Sequence, residues 1–223
     1  MVNVITKIER PKKEVLKQFE YEAPATVYEA QGKIGAMMSD IKPIYSGMKI
    51  CGPVITVQCH PGDNIMLHKA VAIAQPGDVI VASVSYSEAG YWGEVLTTAA
   101  QARGIRGLVI DGSVRDGLAI RKRGFPIFSK GLCMKGTVKE TLGFVNYPIM
   151  CGNVLVKPGD IILGDDDGIV IVPKEKAQDT LKKSQDREKK EQIMMEKLTS
   201  GELTTLELLG FNKILKAKGL QEE

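Results

Sequence analysis

The middle of the sequence alternates short β-branched runs with helical segments, and this alternation constrains the fold more than any other feature. Between residues 79 and 131 five segments follow in the order strand, helix, strand, helix, strand: VIVASVS, YWGEVLTTAAQARG, GLVIDG, RDGLAIRKRG and PIFSKG. Strands that are joined through helices pair in parallel by right-handed crossovers. Gly104 and Gly124 stand where helix C-caps are needed. The alternation therefore predicts a parallel α/β core.

The segments around this core predict further layers. Residues from about Lys12 to Met38 carry apolar residues at helical spacing, interrupted by Pro24, and predict two short helices that cover the main fold. In GMKICGPVITVQC, a β-branched run broken by Gly52-Pro53 predicts a first strand near a sheet edge or bend. The apolar run NIMLHKAVAIAQ predicts a buried helix, and NVLVKPGD, IILGDDDG and IVIVP predict a β-rich layer. The expected architecture is mixed α/β in layers.

Turn and charge patterns mark the remaining boundaries. Three Pro-Gly-Asp triplets, which begin at Pro61, Pro76 and Pro158, suit type II turns because proline presets φ and glycine accepts a positive φ. A highly charged stretch from Lys174 to Lys197 predicts a long, mostly solvated helix, followed by a short helix around Leu203 to Ala217. A contact with another subunit is the alternative explanation for that charge.

Composition and charge exclude several classes of protein. Hydrophobic residues make up 43% and charged residues 26% of 223 residues, which is ordinary for a globular chain and indicates one compact domain. The net charge of +3, from 30 basic and 27 acidic residues, gives no electrostatic case for a nucleic-acid or membrane partner. The amino terminus lacks a secretory signal and the chain lacks a run of about 18 apolar residues, so we expect a cytoplasmic protein. Cysteines 51, 59, 133 and 151 are not closely paired and are expected to be reduced, packed thiols.

Two segments follow strands of the parallel core and open helices, where α/β proteins bind their ligands. The first runs from Ser85 to Leu96, and its backbone amides could cradle a carboxylate, with Gly93 permitting close approach. The second runs from Asp111 to Asp116. The guanidinium of Arg115 matches a carboxylate, and the oxygens of Asp116 suit Mg²⁺ or Mn²⁺ with coordination positions left for water and substrate.

The same side chains also have purely structural explanations. Asp116 could cap the helix that runs through Arg123, and Arg115 could pair with a surface carboxylate. Glu94 could stabilise the dipole at the start of its own helix. Position along the chain does not separate these explanations from a role in chemistry.

A family resemblance rests on these residues. Glu94, twenty further residues and then Arg115-Asp116 resemble the acidic-X20-Arg-Asp pattern of the 4-hydroxy-4-methyl-2-oxoglutarate / 4-carboxy-4-hydroxy-2-oxoadipate aldolases, within the superfamily of the regulator of ribonuclease activity A. The blocks GPVITV, PGDVIVAS, YWGE, GLVIDGSVRD, RGFPIF and KPGDIILGDDDGIVIVP are similar as well, so the resemblance covers most of the chain. It implies an α/β fold, a layered α/β/β sandwich of the RraA-like (swivelling β/β/α) type. Residues 1–223 would form one domain with flanking N- and C-terminal helices, of which 174–223 are a charged helical extension.

The resemblance implies a divalent-metal-dependent (class II) aldolase that cleaves 4-hydroxy-4-methyl-2-oxoglutarate-like substrates to pyruvate. Arg115 would bind the pyruvyl end of the 2-oxo acid, and Asp116 would hold the divalent cation, Mg²⁺ or Mn²⁺. Glu94 would orient a metal-bound water or shuttle a proton. The backbone expected to bind the same pyruvyl group is that of Gly93, Glu94, Val95 and Leu96. Decarboxylation of oxaloacetate produces the same pyruvate enolate, so this activity is expected too.

Two other functions remain open, a non-catalytic regulator that binds an RNA-degrading enzyme and a related lyase that acts on another hydroxy acid. The regulators typically carry glycine where Glu94 stands and an acidic residue where Ala119 stands, so both positions favour the aldolase. Relatives of this fold assemble as trimers or hexamers with sites near subunit interfaces. The resemblance therefore implies a homotrimer or homohexamer in which the C-terminal helices reach a neighbour.

Other reactive side chains are expected to be structural. Lys130, at the end of a strand, could form a Schiff base with a keto acid, but nothing around it suggests the lowered pKa that this chemistry needs. His60 and His68 lack a partner at metal-ligand spacing. Asp165–Asp167 are flanked by glycines, which favours a tight turn over a calcium site. Trp92 could either shield the site from water or anchor the core.

Overall fold

A mixed β-sheet forms the centre of the protein, which a computed structural model describes over residues 2–85 and 87–222. Its strands are β1 (Lys42–Pro43), β2 (Ile50–Gln58), β3 (Val79–Ser83), β4 (Gly107–Val114), β5 (Ile127–Leu132), β6 (Phe144–Val145), β9 (Ile161–Gly164) and β10 (Ile169–Val172). A separate hairpin consists of β7 (Ile149–Cys151) and β8 (Val154–Val156). The order across the sheet is β1-β5-β4-β3-β2-β9-β10, and β6 pairs with β2 outside this path. Strands β2 to β5 pair in parallel, as the alternation predicts.

The long strand β2 joins the parallel part of the sheet to its antiparallel part. Its first four residues pair antiparallel with β9, and the pairing with β3 begins at Val54. The change occurs directly after Gly52-Pro53, where a Cβ on Gly52 would lie 2.5 Å from the carbonyl oxygen of Gly77. Gly52-Pro53 therefore lies in the middle of the sheet, where the pairing partner of β2 changes, and not at an edge, because β9 pairs with the start of the strand.

Helices cover one face of the parallel strands and the β7–β8 hairpin covers the other. The helices are α3 (Ile65–Ile73), α4 (Glu94–Ala102) and α5 (Gly117–Arg123). On the helical face, buried side chains such as Leu67, Ala100 and Ile120 pack against the strands. On the opposite face, Ile149 and Val156 of the hairpin pack against another set of strand residues. This arrangement confirms the expected layered α/β/β sandwich.

Helices from both ends of the chain cover the β9–β10 hairpin. They are α1 (Lys13–Phe19) and α2 (Pro24–Ala30) at the N-terminal end, and α6 (Ala177–Thr199), which follows a 3-10 turn at Lys174–Lys176, at the C-terminal end. Two short helices, α7 (Thr205–Leu208) and α8 (Phe211–Ala217), follow α6 and pack against each other. Phe19, Val27 and Leu181 are buried against this hairpin. The charged stretch forms one long, mostly exposed helix, as predicted, and one face of its first half is packed, with Ser184 fully buried. One prediction needs correction: the helix expected at 203–217 is divided, because Gly210 adopts a left-handed φ of 70°.

The three Pro-Gly-Asp turns have the predicted positive φ at glycine, and each aspartate accepts at least one hydrogen bond from outside its own turn. Asp78 forms an ion pair with Arg10, and only 1% of the Asp78 side chain is exposed. Its two carboxylate oxygens accept hydrogen bonds from Nε and Nη2 of Arg10, at 2.7 and 2.8 Å. The Gln75 N–H also donates to it, at 2.7 Å. This carboxylate therefore connects the N-terminal segment to the turn that begins β3.

We expect Asp78→Ala to lower the free energy of unfolding by about 2–4 kcal/mol, because the change leaves a partly buried guanidinium and a backbone N–H without their acceptor. Urea denaturation measures this loss. Asp179→Ala is the matched control, since its partner Lys183 and Asp179 itself are both largely exposed on α6, where an ion pair contributes little. Equal stability of the two variants would contradict the prediction.

Candidate active site

The two segments singled out in the sequence lie side by side at the carboxyl ends of β3 and β4. The loop before α4 runs along the end of β4, where the Tyr91 N–H donates to the Ser113 carbonyl at 3.0 Å. The Arg115 N–H donates in turn to the Trp92 carbonyl, at 2.8 Å. Tyr86, which the sequence places in the same loop, lies outside the described residues. The structure thus brings Arg115 and Asp116 against the start of α4, although the two segments are about twenty residues apart in sequence.

Asp116 connects the helix that follows it to the neighbouring helix α4. Its Oδ2 accepts a hydrogen bond of 3.0 Å from the N–H group of Glu94, and Glu94 is the first residue of α4. Asp116 occupies the N-cap position of α5, but its side chain makes no capping bond to that helix. The simple capping explanation is therefore wrong. The residue has φ 60° and ψ 33°, a left-handed conformation that costs energy for any residue with a side chain and is concentrated at functional sites.

Two glycines of the loop make room for this pair. A Cβ on Gly93 would collide with Oδ2 of Asp116 and would lie 3.2 Å from both Cγ and Nε of Arg115. A Cβ on Gly90 would collide with the Cys133 carbonyl oxygen and lie 3.0 Å from Cβ of Arg115. Gly93 was expected to let a ligand approach the backbone. In the structure it lets Asp116 and Arg115 approach.

Arg115 has an open side chain beside the carboxylate that follows it. Its Nε lies 3.8 Å from Oδ2 of Asp116, and 48% of the arginine side chain and 41% of the aspartate side chain are exposed. The two residues line a cleft of about 310 Å³ together with Leu132, Cys133 and Met134. The guanidinium is therefore accessible to a carboxylate ligand in this cleft.

Glu94 lies on the other side of Asp116, in a second cleft of about 730 Å³. Its Oε1 accepts two hydrogen bonds from Arg123, at 3.0 Å from Nε and 2.8 Å from Nη2. The sequence gives no signal for Arg123 as a site residue, because basic residues are common at the C-terminal end of any helix. The complete lining consists of Glu94, Asp116, Gly117, Leu118, Ala119, Lys122 and Arg123.

The first turn of α4 offers backbone donors to an anion. The N–H groups of a helix's first turn have no acceptor within the helix, and the partial positive charge of the helix N-terminus favours an anion there. The Glu94 N–H is already bound to Asp116, which leaves those of Val95 and Leu96. The Val95 side chain is 79% exposed and that of Leu96 is buried, so Leu96 has only its backbone to offer.

The residues that were set aside have structural partners. Lys130 Nζ lies 2.5 Å from Oδ1 of Asp111 and 3.5 Å from Oδ2 of Asp40. Partial burial acts to lower the pKa of Lys130, but the hydrogen bond and charge of Asp111, supported by Asp40, outweigh it and raise the pKa above its usual value. Lysine therefore stays protonated, which opposes a Schiff base. Trp92 is fully buried, stacks on Phe125 and donates to Thr97, so it anchors the core.

The acidic cluster and the cysteines likewise fit structural roles, and the two histidines lie at the surface. His60 and His68 are both exposed. Asp166 accepts hydrogen bonds from the Ser46 hydroxyl and the Gly47 N–H, and these bonds lower the pKa of its carboxyl group. Asp165–Asp167 thus form part of the turn between β9 and β10. The four cysteines are free thiols, and burial raises the pKa of Cys51 and of Cys59 to about 12.

The donor set around Asp116 fits a hard divalent cation that is held mainly by water and ligand. Oδ2 of Asp116 is engaged by the Glu94 N–H, while Oδ1 accepts no hydrogen bond from the part of the chain that the structure describes. The described residues contain no group of three or more His, Cys, Asp or Glu side chains arranged for a metal. Mg²⁺ is commonly bound through one or two carboxylates with several waters, so a single open carboxylate is compatible with it.

Comparisons with known proteins identify similar chains of comparable length. Residues 24–171 match the family described as RraA-like, Aldolase/RraA. A Halalkalibacterium halodurans protein named "Putative 4-hydroxy-4-methyl-2-oxoglutarate aldolase" is 34% identical over 174 residues, which are 78% of this chain and 83% of that protein. Among solved structures, an uncharacterized protein from Pseudomonas syringae pv. tomato has a TM-score of 0.82 at 28% identity and covers 92% of this chain and 97% of its own.

A second solved structure belongs to a relative that is described as a ribonuclease inhibitor family member. It is Streptomyces coelicolor RraAS2, described as an unusual member of the RNase ES inhibitor RraA protein family. Its TM-score is 0.77 at 30% identity, over 85% of this chain and 99% of that one.

In the described part of the chain, none of the helices is long and apolar enough to cross a membrane.

Gly93→Ala should destabilise the protein by about 1–3 kcal/mol, because the added methyl group overpacks the contact with Asp116 and Arg115. Thermal unfolding monitored by circular dichroism measures the loss. Gly136→Ala is the control, since a Cβ at that glycine would meet nothing within 4 Å. A melting temperature of Gly93→Ala equal to that of Gly136→Ala would show that the close approach is not required.

Proposed function

The chain belongs to the RraA-like (Aldolase/RraA) family, and from that premise we propose that it is a divalent-metal-dependent carbon–carbon lyase that releases pyruvate. Membership and the aldolase-named relative support an aldolase-type function. The observation that carries the finer proposal is the pair Arg115 and Asp116, fixed against the N-terminus of α4 with Glu94 on the other side of the carboxylate. The substrate would be a 4-hydroxy-4-methyl-2-oxoglutarate-like 2-oxo acid.

The pyruvyl end of the substrate would bind between Arg115 and the start of α4. The guanidinium provides a planar, charged donor for the carboxylate, and the N–H groups of Val95 and Leu96 provide neutral donors with the helix dipole behind them. The helix N–H groups are held in place by the helix, and the Arg115 backbone is held by its hydrogen bond to the Trp92 carbonyl. These donors therefore need less reorganisation as negative charge develops on the pyruvyl unit. Arg115 would therefore act in both binding and catalysis.

Asp116 would hold the divalent cation, Mg²⁺ or Mn²⁺, through its carboxylate. A cation bound there would supply electrostatic stabilisation for the negative charge of the pyruvate enolate. The hydrogen bond from the Glu94 N–H to Oδ2 fixes the carboxylate in one orientation without a contribution from the ligand. The requirement for this orientation also explains why the strained conformation of Asp116 is retained.

Glu94 would handle the proton of the aldol cleavage. In 4-hydroxy-4-methyl-2-oxoglutarate, the proton of the C4 hydroxyl passes to the Glu94 carboxylate, directly or through water, as the C3–C4 bond breaks. The electron pair of that bond forms the enolate of one pyruvate, and C4 becomes the ketone carbon of a second. The proton then returns to C3, so that two pyruvates leave and Glu94 is again ionised.

Oxaloacetate should be decarboxylated at the same site. Loss of CO₂ from oxaloacetate leaves the electron pair of the broken bond in the enolate of pyruvate, which is the species that Arg115 and the helix N-terminus would bind in the aldol reaction. Protonation of C3 completes the reaction. No hydroxyl proton has to be removed first, so Glu94 is less important for this substrate.

Two other functions are less well supported. Similarity to the Streptomyces coelicolor protein is compatible with a non-catalytic regulator that binds a ribonuclease. The regulators typically carry glycine where Glu94 stands and an acidic residue where Ala119 stands. Both positions of this chain therefore oppose this alternative. A related lyase on another hydroxy acid uses the same pyruvyl contacts and differs only in the substituent that it accepts.

We also propose that the chain functions as a homotrimer or homohexamer. Apolar side chains rim the two clefts and are largely exposed in a single chain: Val95, Leu118, Leu132 and Met134. The C-terminal helices expose a second set of apolar side chains: Ile193, Met195, Leu206, Phe211 and Ile214. Apolar surface of this kind next to a polar cleft is typical of an interaction site, and a neighbouring subunit would cover it.

Pyruvate release from oxaloacetate and from 4-hydroxy-4-methyl-2-oxoglutarate should require Mg²⁺ or Mn²⁺ and stop when EDTA is added. Asp116→Asn should lower both rates by about 100-fold or more, because the amide keeps the shape of the side chain but cannot hold the cation or its charge. Asp179→Asn, on the exposed face of α6, serves as the control with the same charge change. A wild-type protein that releases pyruvate from neither substrate would contradict the lyase.

Light scattering of the full chain should give three or six times the mass of one chain. A charge placed in the apolar rim, as in Leu132→Glu, should shift the assembly towards monomer and reduce pyruvate release, because a site near a subunit interface depends on its neighbour. Val2→Glu provides the control, since Val2 is exposed at the N-terminus and away from the clefts. A fully active monomer would contradict the proposed assembly.

A further inference from the structure

Arg123 is held at both its backbone and its side chain. It is the last residue of α5, and its carbonyl oxygen accepts a hydrogen bond of 3.0 Å from Nε2 of Gln101 in the last turn of α4. Its guanidinium reaches back to the first turn of α4, where Nε and Nη2 both donate to Oε1 of Glu94. A long side chain that is fixed in this way loses much of the rotational freedom that weakens surface ion pairs.

The two ends of α5 therefore hold the same residue of α4. Asp116, directly before α5, accepts the hydrogen bond from the Glu94 backbone N–H. Arg123, at the end of α5, donates to the Glu94 side chain. Because Oε1 takes both donors, Oε2 is the oxygen that accepts no hydrogen bond from the described residues. The backbone and one carboxylate oxygen of Glu94 are fixed, and the other oxygen is left for a reacting group.

We propose that Arg123 is a positioning residue for aldol cleavage, which holds the Glu94 carboxylate so that its second oxygen meets the substrate hydroxyl. This inference rests on the proposed function, and it adds a residue that the pyruvyl and metal contacts do not include. Proton transfer requires a base within hydrogen-bonding reach of the proton, and small displacements of a reacting group cost large factors in rate. A carboxylate that could rotate freely in an open cleft would rarely be in place.

The two expected substrates separate this role from a general structural one. Aldol cleavage needs the hydroxyl proton removed as the carbon–carbon bond breaks, whereas oxaloacetate loses CO₂ without that step. A residue that acts only through Glu94 should therefore matter for the first substrate much more than for the second. A residue that merely stabilised α4 and α5 would affect both reactions equally, since Arg115 and Asp116 lie against the same helix.

The experiment compares kcat and KM for both substrates in the wild type, Arg123→Gln, Arg123→Lys, Glu94→Gln and the double variant Glu94→Gln/Arg123→Gln. Arg121→Gln is the control, because it removes the same charge from the same helix and its guanidinium lies over the Tyr45 ring, 5.8 Å from the centroid. We expect Arg123→Gln to lower kcat for aldol cleavage by about tenfold, with KM and the decarboxylation rate changed less than about twofold.

Two further results are expected from the same set. Arg123→Lys should recover part of the lost kcat, because it keeps a cationic donor near Oε1. Arg123→Gln should have no additional effect in the Glu94→Gln background, since the arginine then has no base to position. Circular dichroism and melting temperature identify any variant that fails to fold. If Arg123→Gln does so, Arg123→Lys and Glu94→Gln still decide the question, because both should slow aldol cleavage more than decarboxylation.

Three outcomes would overturn the inference. Arg123→Gln could behave like Arg121→Gln, it could slow both reactions by the same factor, or it could slow aldol cleavage further in the absence of Glu94. Each would mean that the arginine does not act through the glutamate. A wild-type protein without turnover of either substrate would instead contradict the proposed function, and the role of Arg123 with it.

Discussion

The hydrogen bond from the Glu94 N–H to the Asp116 carboxylate is the contact on which the site depends. It adds a side-chain contact to the backbone hydrogen bonds that join the strand-to-helix connection after β3 to the one after β4, between Tyr91 and Ser113 and between Arg115 and Trp92. The absence of a side chain at Gly93 permits it, and the left-handed backbone of Asp116 aims the carboxylate at α4. This bond thus aligns the N-terminus of α4 with the carboxylate, and the Arg115 guanidinium lies beside that carboxylate. The sheet beneath supplies a rigid support, because its parallel strands are buried on both faces.

Much of the fold could be predicted because periodicity and turn chemistry are local properties. The strand and helix alternation, the turns at Gly77 and Gly159 and the helix end at Gly124 all depend on a few neighbouring residues. The position of Gly52-Pro53 inside the sheet could not be predicted, since it depends on β9, more than a hundred residues later. The packed face of the charged helix could not be predicted for the same reason: the partners that bury it belong to α1 and α2.

The candidate site could be located from the sequence but not assembled from it. Arg115 and Asp116 were found because they are adjacent and follow a buried strand, and Glu94 because a family pattern includes it. Arg123 was missed, because only the folded length of α5 brings its end to the start of α4. The reason for a glycine at position 93 was likewise misjudged, since the atoms that would collide with a Cβ there belong to the connection after β4. Contacts between connections follow from topology, which the pattern of a single segment does not contain.

The conformation of Asp116 has a consequence for how loss of the site would be noticed. A change to glycine would relieve the left-handed backbone, which costs roughly 1–2 kcal/mol for a residue with a side chain, and would give up one hydrogen bond of about 1 kcal/mol net. These contributions nearly cancel, so a chain without its central carboxylate would fold and accumulate almost as well as the original. Protein abundance and proteolytic turnover in a cell would then not change when the carboxylate is lost. Natural selection would then act against such a variant only through the loss of its activity.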